Sequence, residues 1–114
     1  MEEKLIEIAK VTFDYDTEKE VKYLNKIVEE EYDVEDETEA FAFSLVDCDL
    51  ISETDLENGE ATFVVSATNY RISNEYGSFE ELSNMDAEKL DALLDEHAEE
   101  VDTVVMDISV DLGN

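Results

Sequence analysis

The sequence has few of the residues on which most site chemistry depends. Its 114 residues include one cysteine, one histidine, three glycines and no proline or tryptophan. The single cysteine, Cys48, excludes an intramolecular disulfide and fits a reducing compartment. Without a second histidine or cysteine we expect no zinc site, and three glycines leave no Gly-rich phosphate loop. We therefore expect neither a metal nor a cofactor.

Basic residues are also scarce. The chain has 34 Asp and Glu against 7 Lys and Arg, a formal net charge of −27. A small domain needs a net charge of magnitude only about 2–8 for solubility, and more charge adds self-repulsion that disfavours the compact state. Such a field repels nucleic acid and anionic membranes and attracts basic proteins. We expect a basic protein partner, no direct nucleic-acid binding and no membrane association.

The acidity is regional. Residues 1–26 hold seven acids and five lysines, whereas residues 27–114 hold 27 acids and only Arg71 and Lys89 as bases. The start of the chain, residues 1–4, lacks the basic and apolar features of a signal peptide. No apolar stretch approaches the roughly 20 residues of a membrane span. We expect a cytoplasmic protein, in the host cytoplasm if a phage encodes it.

Length and composition predict one acidic α+β domain over residues 1–114, because 43% apolar residues suffice to fold one core. Residues 4–14 are rich in β-branched and apolar residues and predict a first strand. Thr17 and Glu20 have capping-box spacing, and the apolar residues that follow predict a helix over about 17–32. Lys19, Lys22 and Lys26 would line its outer side.

The middle of the chain predicts a hairpin. Residues 33–39 are too charged for a core and predict an acidic connection. Residues 39–51 alternate large and small side chains like a strand, Asn58-Gly59 is a turn signal, and residues 60–73 predict the return strand. Residues 52–57 are compatible with an extension of the hairpin or with a loop.

The last third predicts a helix and a strand. Ser78 and Glu81 have capping-box spacing, and Ser83 or Asp86 could begin a longer helix. Its apolar side would hold Ala87, Leu90, Leu93, Leu94, His97 and Val101. Residues 104–112 alternate apolar and polar side chains, which predicts a half-buried strand.

The predicted order is β-α-β-β-α-β, with an antiparallel sheet and two helices packed on one face. A ferredoxin-like arrangement is the leading prediction, although the order permits other α+β topologies.

Acid pairs are too common to identify a catalytic pair, since a working pair needs environments that separate the two pKa values. No calcium-binding loop fits either. Starting an EF-hand loop at Asp47 puts Ile51 at the fifth position, and starting at Asp55 puts Gly59 there. We do not expect an enzyme.

The spacing of the carboxylates is more informative. DNA carries about one negative charge per 3.4 Å of each strand, and acids on rigid elements can approximate such an array. Residues that step by three or four on the second helix lie about 4.5–6 Å apart, and alternate residues of an extended segment about 6.6–6.8 Å. The candidate partner-binding residues are Glu29, Glu30, Glu31, Asp33, Glu35, Glu37, Glu39, Asp47, Asp49, Glu53, Asp55, Glu57, Glu88, Asp91, Asp95, Glu99 and Asp102.

Charged outer faces are normal on helices and strands, but these rows lack lysine partners. Each pair of like charges at i, i+4 destabilises a helix by about 0.2–0.5 kcal/mol. The accumulation of such pairs therefore favours the interpretation that the acids serve a function. In its size, acidity and scarcity of cysteine the chain resembles the DNA-mimic proteins of phages and mobile elements. That class includes antirestriction proteins, some anti-CRISPR proteins and inhibitors of histone-like proteins. Its members share no motif or fold, so the resemblance assigns no residue.

The leading hypothesis is an inhibitor that occupies the nucleic-acid-binding surface of a basic protein, such as a CRISPR effector, a restriction enzyme or a nucleoid protein. Tyr32, Tyr76 and Phe79 are candidate apolar anchors. An immunity protein or antitoxin against a cationic nuclease would have the same electrostatics. A domain adapted to high salt is the third hypothesis, although six lysines and 21 Glu to 13 Asp argue against it. The sequence leaves the oligomeric state open, a homodimer included.

Overall fold

The computed structural model describes residues 4–113, in which a four-stranded antiparallel sheet is packed against helices. Residues 1–3, where the sequence shows no signal-peptide features, lie outside the described residues. The strands are β1 (Leu5–Tyr15), β2 (Glu18–Leu24), β3 (Glu60–Ser73) and β4 (Glu99–Asp111), in the order β2-β1-β3-β4. The helices are α1 (Glu35–Asp47), α2 (Glu53–Asn58), α3 (Phe79–Ser83) and α4 (Ala87–His97), with 3₁₀ turns at Glu31–Asp33 and Asn74–Tyr76. The principal extents are 56 × 25 × 18 Å.

The first two strands form a hairpin, so the helix predicted over residues 17–32 is wrong. Tyr15 pairs with Glu18 across a two-residue turn in which Asp16 has a φ of 53°. Aspartate tolerates this left-handed conformation, which tight hairpin turns require. Glu, Lys and Leu favour helices locally, but pairing with β1 outweighs that preference. Lys19 and Lys22 therefore lie on an edge strand, not on the outer side of a helix.

Residues 35–47 form α1, so the acidic connection over 33–39 and the strand over 39–51 are both wrong. Thr38, Phe41, Ala42 and Leu45 are buried at helical spacing, whereas Phe43 is exposed. The large side chains at 41, 43 and 45 fit the period of a strand as well as that of a helix. The burial of 41 and 45 with the exposure of 43 distinguishes the helix from the strand.

Asn58 and Gly59 end a helix instead of turning a hairpin. Gly59 caps α2 in the left-handed region with a φ of 72°, where glycine has no steric penalty. Residues 53–58 are helical, neither an extended hairpin nor a loop. The strand predicted over residues 60–73 matches β3.

The second half agrees with the predictions more closely. Ser78 and Glu81 form the capping box of α3, and Asp86 precedes α4. The helix stops at His97, so Val101 lies in β4 and not on the helix. β4 alternates as predicted, with Ile108 and Val110 buried.

The predicted α+β class with an antiparallel sheet is confirmed. The predicted order β-α-β-β-α-β is wrong, and with it the ferredoxin-like arrangement, because β1 continues directly into β2 and every neighbouring pair of strands is antiparallel. Among residues 4–113 no helix has the length and apolar composition needed to cross a membrane.

The helices lie on opposite faces of the sheet, so their predicted packing on one face is also wrong. The first face, which carries Ala9, Val11 and Phe13 of β1, packs against α1 and the loops around it. The second face carries Ile8 and Ile72, which pack against Leu82 of α3 and against α4. Alternation along β1 supplies both cores, since successive side chains point to opposite faces.

Candidate functional site

The strongest concentration of charge lies in the segment that covers the first face. Residues 27–58 contain 13 acids and no lysine or arginine. We call this segment the acidic layer. Its core residues, among them Val28, Val34 and Ile51, pack on the sheet and hold the layer against it. Its acids are Glu29, Glu30, Glu31, Asp33, Glu35, Asp36, Glu37, Glu39, Asp47, Asp49, Glu53, Asp55 and Glu57.

Most of these carboxylates face solvent: ten are exposed and only Asp33, Glu37 and Asp55 are partly buried. The layer thus brings the predicted site residues 29–57 together on one side of the molecule. It does so on helices, so the predicted extended series 33, 35, 37, 39 and 53, 55, 57 do not form. On α1 the exposed row is instead Glu35, Glu39, Phe43 and Asp47, at every fourth residue.

Two acids of the layer are used within the fold. The backbone N–H groups of Glu29 and Glu30 donate to Oδ2 of Asp33 at 3.1 and 3.2 Å, and these bonds hold the pKa of that carboxyl below its usual range. The Tyr15 hydroxyl donates to Asp55 Oδ2 at 2.5 Å. These two carboxylates position the layer more than they present charge.

Helix geometry explains some of the acids but not all. Glu35 and Asp36 lie in the first turn of α1, where negative charge is favoured by the helix dipole. Asp47 ends α1 and Glu57 lies in the last turn of α2, where negative charge is unfavourable and no basic residue compensates. The helix dipole therefore does not account for the acids at these two helix ends.

Exposed apolar side chains interrupt the acidic layer. Tyr32 is 65% exposed, Leu50 45% and Phe43 41%. The negative charge of Glu30 raises the pKa of the Tyr32 phenol. Tyr32 was among the predicted anchors, whereas Phe43 and Leu50 were missed. Phe43 was missed because its spacing with Phe41 and Leu45 fits the strand that the sequence predicted there.

The other predicted anchors lie elsewhere. Tyr76 stacks on His97 with ring centroids 4.6 Å apart, and its hydroxyl is 3.2 Å from Nδ1 of His97. Phe79 is partly buried against the second core. The histidine is exposed and is not a member of the apolar side of α4, contrary to its predicted position.

The predicted row on the second helix is broken. Glu88, Asp91 and Asp95 lie on α4, but Glu99 and Asp102 belong to β4. Asp102 accepts a hydrogen bond from Nδ2 of Asn69 at 2.6 Å.

Asp91 is held within the fold. Its Oδ1 is 3.0 Å from Nζ of Lys10 and accepts a hydrogen bond from the Tyr23 hydroxyl at 2.9 Å. Partial burial raises the pKa of Asp91, but the hydrogen bonds from Lys10 and Tyr23 outweigh burial and hold it below its usual value. Burial and the bond to Asp91 raise the pKa of Tyr23 well above its usual range.

Two rows of side chains cross the second face beside α4 and carry less charge than the helices do. Each of the two rows contains one side chain from each of the four strands. Together the rows carry one lysine and two aspartates. The rows are Val21-Thr12-Ser66-Val105 and Lys19-Asp14-Val64-Asp107. α3 and α4 on this face carry six acids and one lysine, so both sides of the molecule are acidic. The second face differs in having an area of β-branched and hydroxyl residues beside α4.

An open cleft joins the acidic layer to the edge of the sheet. It has a volume of about 230 Å³ and is lined by Glu35 and Glu39 of α1 and by Ser109, Val110 and Asp111 of β4. Within residues 4–113, no three His, Cys, Asp or Glu side chains are arranged to hold a metal ion. Comparisons of the chain with protein-family models, curated proteins and solved structures find no match.

Proposed function

We propose that the chain is an acidic inhibitor, not an enzyme, which binds the nucleic-acid-binding surface of a basic protein in the cytoplasm and blocks it. The observation that carries the proposal is the acidic layer, in which 13 acids without a base cover one face of the sheet. Lysines and arginines that hold phosphates in the target would meet these carboxylates instead. Charge complementarity of this kind speeds association and suppresses wrong partners.

Apolar anchors within the layer support binding to a protein in preference to diffuse attraction of cations. Interfaces gain most of their energy from a few desolvated aromatic and apolar residues surrounded by polar ones. Tyr32, Phe43 and Leu50 are exposed among the carboxylates in this manner.

The test is competition with DNA. Labelled duplex DNA is bound to a histone-like nucleoid protein, a restriction enzyme or a CRISPR effector, and the chain is titrated in at several salt concentrations. We expect displacement from at least one target, weakening as salt rises. Displacement from none of the three would overturn the proposal. If a toxin nuclease, assayed in parallel, were the one protein that the chain displaced from DNA, an immunity protein would be favoured instead.

Two matched variants separate position from total charge. One neutralises four acids of the layer, Glu35→Gln, Glu39→Gln, Asp47→Asn and Glu57→Gln. The other neutralises four exposed acids of α3 and α4, Glu80→Gln, Glu88→Gln, Asp95→Asn and Glu96→Gln. We expect the first variant to weaken displacement about ten-fold, because it loses carboxylates that would contact the target directly. The second variant should weaken displacement only about two-fold, because it loses long-range attraction that salt already screens. Equal losses would exclude the layer as the contact surface.

A further inference from the structure

The two edges of the sheet differ in their protection. An edge strand directs the N–H and C=O groups of alternate residues away from the sheet, and proteins usually block such edges with lysine, proline or short strands. β2 is seven residues long and carries Lys19 and Lys22. β4 is 13 residues long and contains neither lysine nor proline.

The outer side of β4 is also uncovered. Within residues 4–113, no loop or helix makes a backbone hydrogen bond to residues 99–110, and the first such bond beyond them joins Leu112 N–H to the Gly59 carbonyl. A register shift beside Asn69 bends the start of the strand. The rest of the edge has the length and regularity that another strand could pair with.

The side chains along this edge have a defined pattern. Residues 103–106 are uncharged, and Val105 at their centre is 65% exposed. Asp102 and Asp107 flank them, and Asp111 at the end of the strand lines the open cleft together with Glu35 and Glu39. The edge therefore combines an apolar centre with carboxylates on both sides.

We propose that β4 receives an extended segment of the basic partner, which joins the sheet as a fifth strand. The segment would have β-branched or apolar residues at its centre and lysine or arginine at its ends. Main-chain hydrogen bonds supply affinity in such strand addition, and side chains supply specificity. The identity of the partner rests on the proposed function: it is the protein whose basic surface meets the acidic layer.

Charge favours this occupant over a second copy of the chain. Two copies that paired through β4 about a two-fold axis at Val105 would bring Glu99 of each against Asp111 of the other. Each chain also carries a formal charge of −27, and like charges directly opposite in a sheet are destabilising. A basic segment meets the same carboxylates with complementary charge.

The test uses a synthetic peptide, Arg-Arg-Val-Thr-Val-Thr-Val-Arg-Arg with blocked ends, and the same peptide with its five central amides N-methylated. Both have the same charge, but only the first can form a ladder of hydrogen bonds. We expect the first to bind and to slow hydrogen exchange of the β4 amides. The methylated peptide should bind about ten-fold more weakly or worse.

A pair of protein variants controls for charge. Val105→Lys places a lysine on the edge, and Val64→Lys makes the same charge change on the inner strand β3, where Val64 is 42% exposed on the same face. We expect the affinity for the unmethylated peptide to fall about ten-fold or more in V105K and about two-fold in V64K. Both positions are exposed, so both variants should fold.

The outcomes separate this inference from the proposed function. Equal binding of the two peptides, or equal losses in the two variants, would overturn strand addition and leave DNA displacement by the acidic layer unaffected. A dimer of the unmodified chain in sedimentation that V105K converts to a monomer would identify a second copy as the occupant and overturn the proposal. Failure of the chain to displace DNA, with peptide pairing intact, would overturn the proposed function and the identity of the partner, but not strand addition at β4.

Discussion

The carboxamide of Asn69 pairs with the backbone of Val28 as a neighbouring strand would. Its Oδ1 accepts from the N–H of Val28 at 2.9 Å, and its Nδ2 donates to the carbonyl of Val28 at 2.8 Å. Asn69 is fully buried on β3, and its second amide hydrogen reaches Asp102 on β4. One side chain thus joins the beginning of the acidic layer to the two strands beneath it.

Asn69→Ala should destabilise the fold strongly, because the N–H and C=O of Val28 would remain buried without partners. Each unsatisfied group costs about 1–3 kcal/mol. Urea unfolding measures the loss, and hydrogen exchange at Val28 should accelerate. Asn58→Ala, at an exposed position on α2, is the control and should change stability little. A similar small change in both variants would contradict the role of the Val28 contact.

The network of Lys10, Tyr23 and Asp91 predicts a pH dependence. Because the pKa of Asp91 is lower in the folded chain than in the unfolded one, the network stabilises the fold above the ordinary carboxyl pKa of about 3.9. That contribution disappears as the pH falls through the folded value. Carbon-13 NMR titration should find Asp91 protonating below its usual range.

Lys10→Met should raise the pKa of Asp91. Burial raises this pKa, and the variant would leave the hydrogen bond from Tyr23 to oppose it without the one from Lys10. Lys89→Met removes the same charge from an exposed position of α4 and serves as the control. If both variants shifted the titration of Asp91 equally, bulk charge and not the 3.0 Å contact would be the cause.

Two aspartates at opposite ends of α1 should respond in opposite directions. Asp47→Asn removes a negative charge from the end of the helix and should stabilise the chain by about 0.3–1 kcal/mol. Asp36→Asn removes one from the first turn and should destabilise it by a similar amount. Chemical unfolding at low ionic strength measures both.

DNA displacement by the same two variants tests whether the acidic layer contacts the target or only keeps the chain in solution. Each loses one carboxylate of the layer, so each should displace DNA from the target less effectively despite the opposite effects on stability. Inhibition that followed stability instead of charge would indicate that the carboxylates do not contact the target.

Salt should stabilise the fold and weaken the inhibition. Screening reduces the self-repulsion of a chain with net charge −27, so the melting temperature should rise between low salt and about 0.5 M potassium chloride. The chain should nevertheless be folded in low salt, as circular dichroism can show. Unfolding there would favour the hypothesis of a domain adapted to high salt.

Strong local periodicity made part of the fold predictable. β3 and β4 were predictable because their apolar and polar residues alternate over many positions. α4 was predictable because Leu90 and Leu94 follow a helical period. In β2, by contrast, helix-favouring Glu and Lys make up four of the seven residues that pair with β1, and no local pattern reveals that pairing.

The candidate site was predictable in composition but not in arrangement. The excess of acids in residues 29–57 is visible in the sequence, whereas their assembly into one layer depends on α1 packing across the sheet. Phe43 illustrates the limit. Its spacing with Phe41 and Leu45 fits a buried strand, and only the helical backbone turns it outwards among the carboxylates.

The long dimension of the molecule bears on which targets an inhibitor of this kind can block. At 3.4 Å per base pair, an object 56 Å long can mask at most about 16 base pairs of a binding track. A protein that grips a shorter site can be covered by one copy. A protein that binds a longer duplex would keep part of its DNA-binding groove free, and several copies of the chain would be needed to fill that groove.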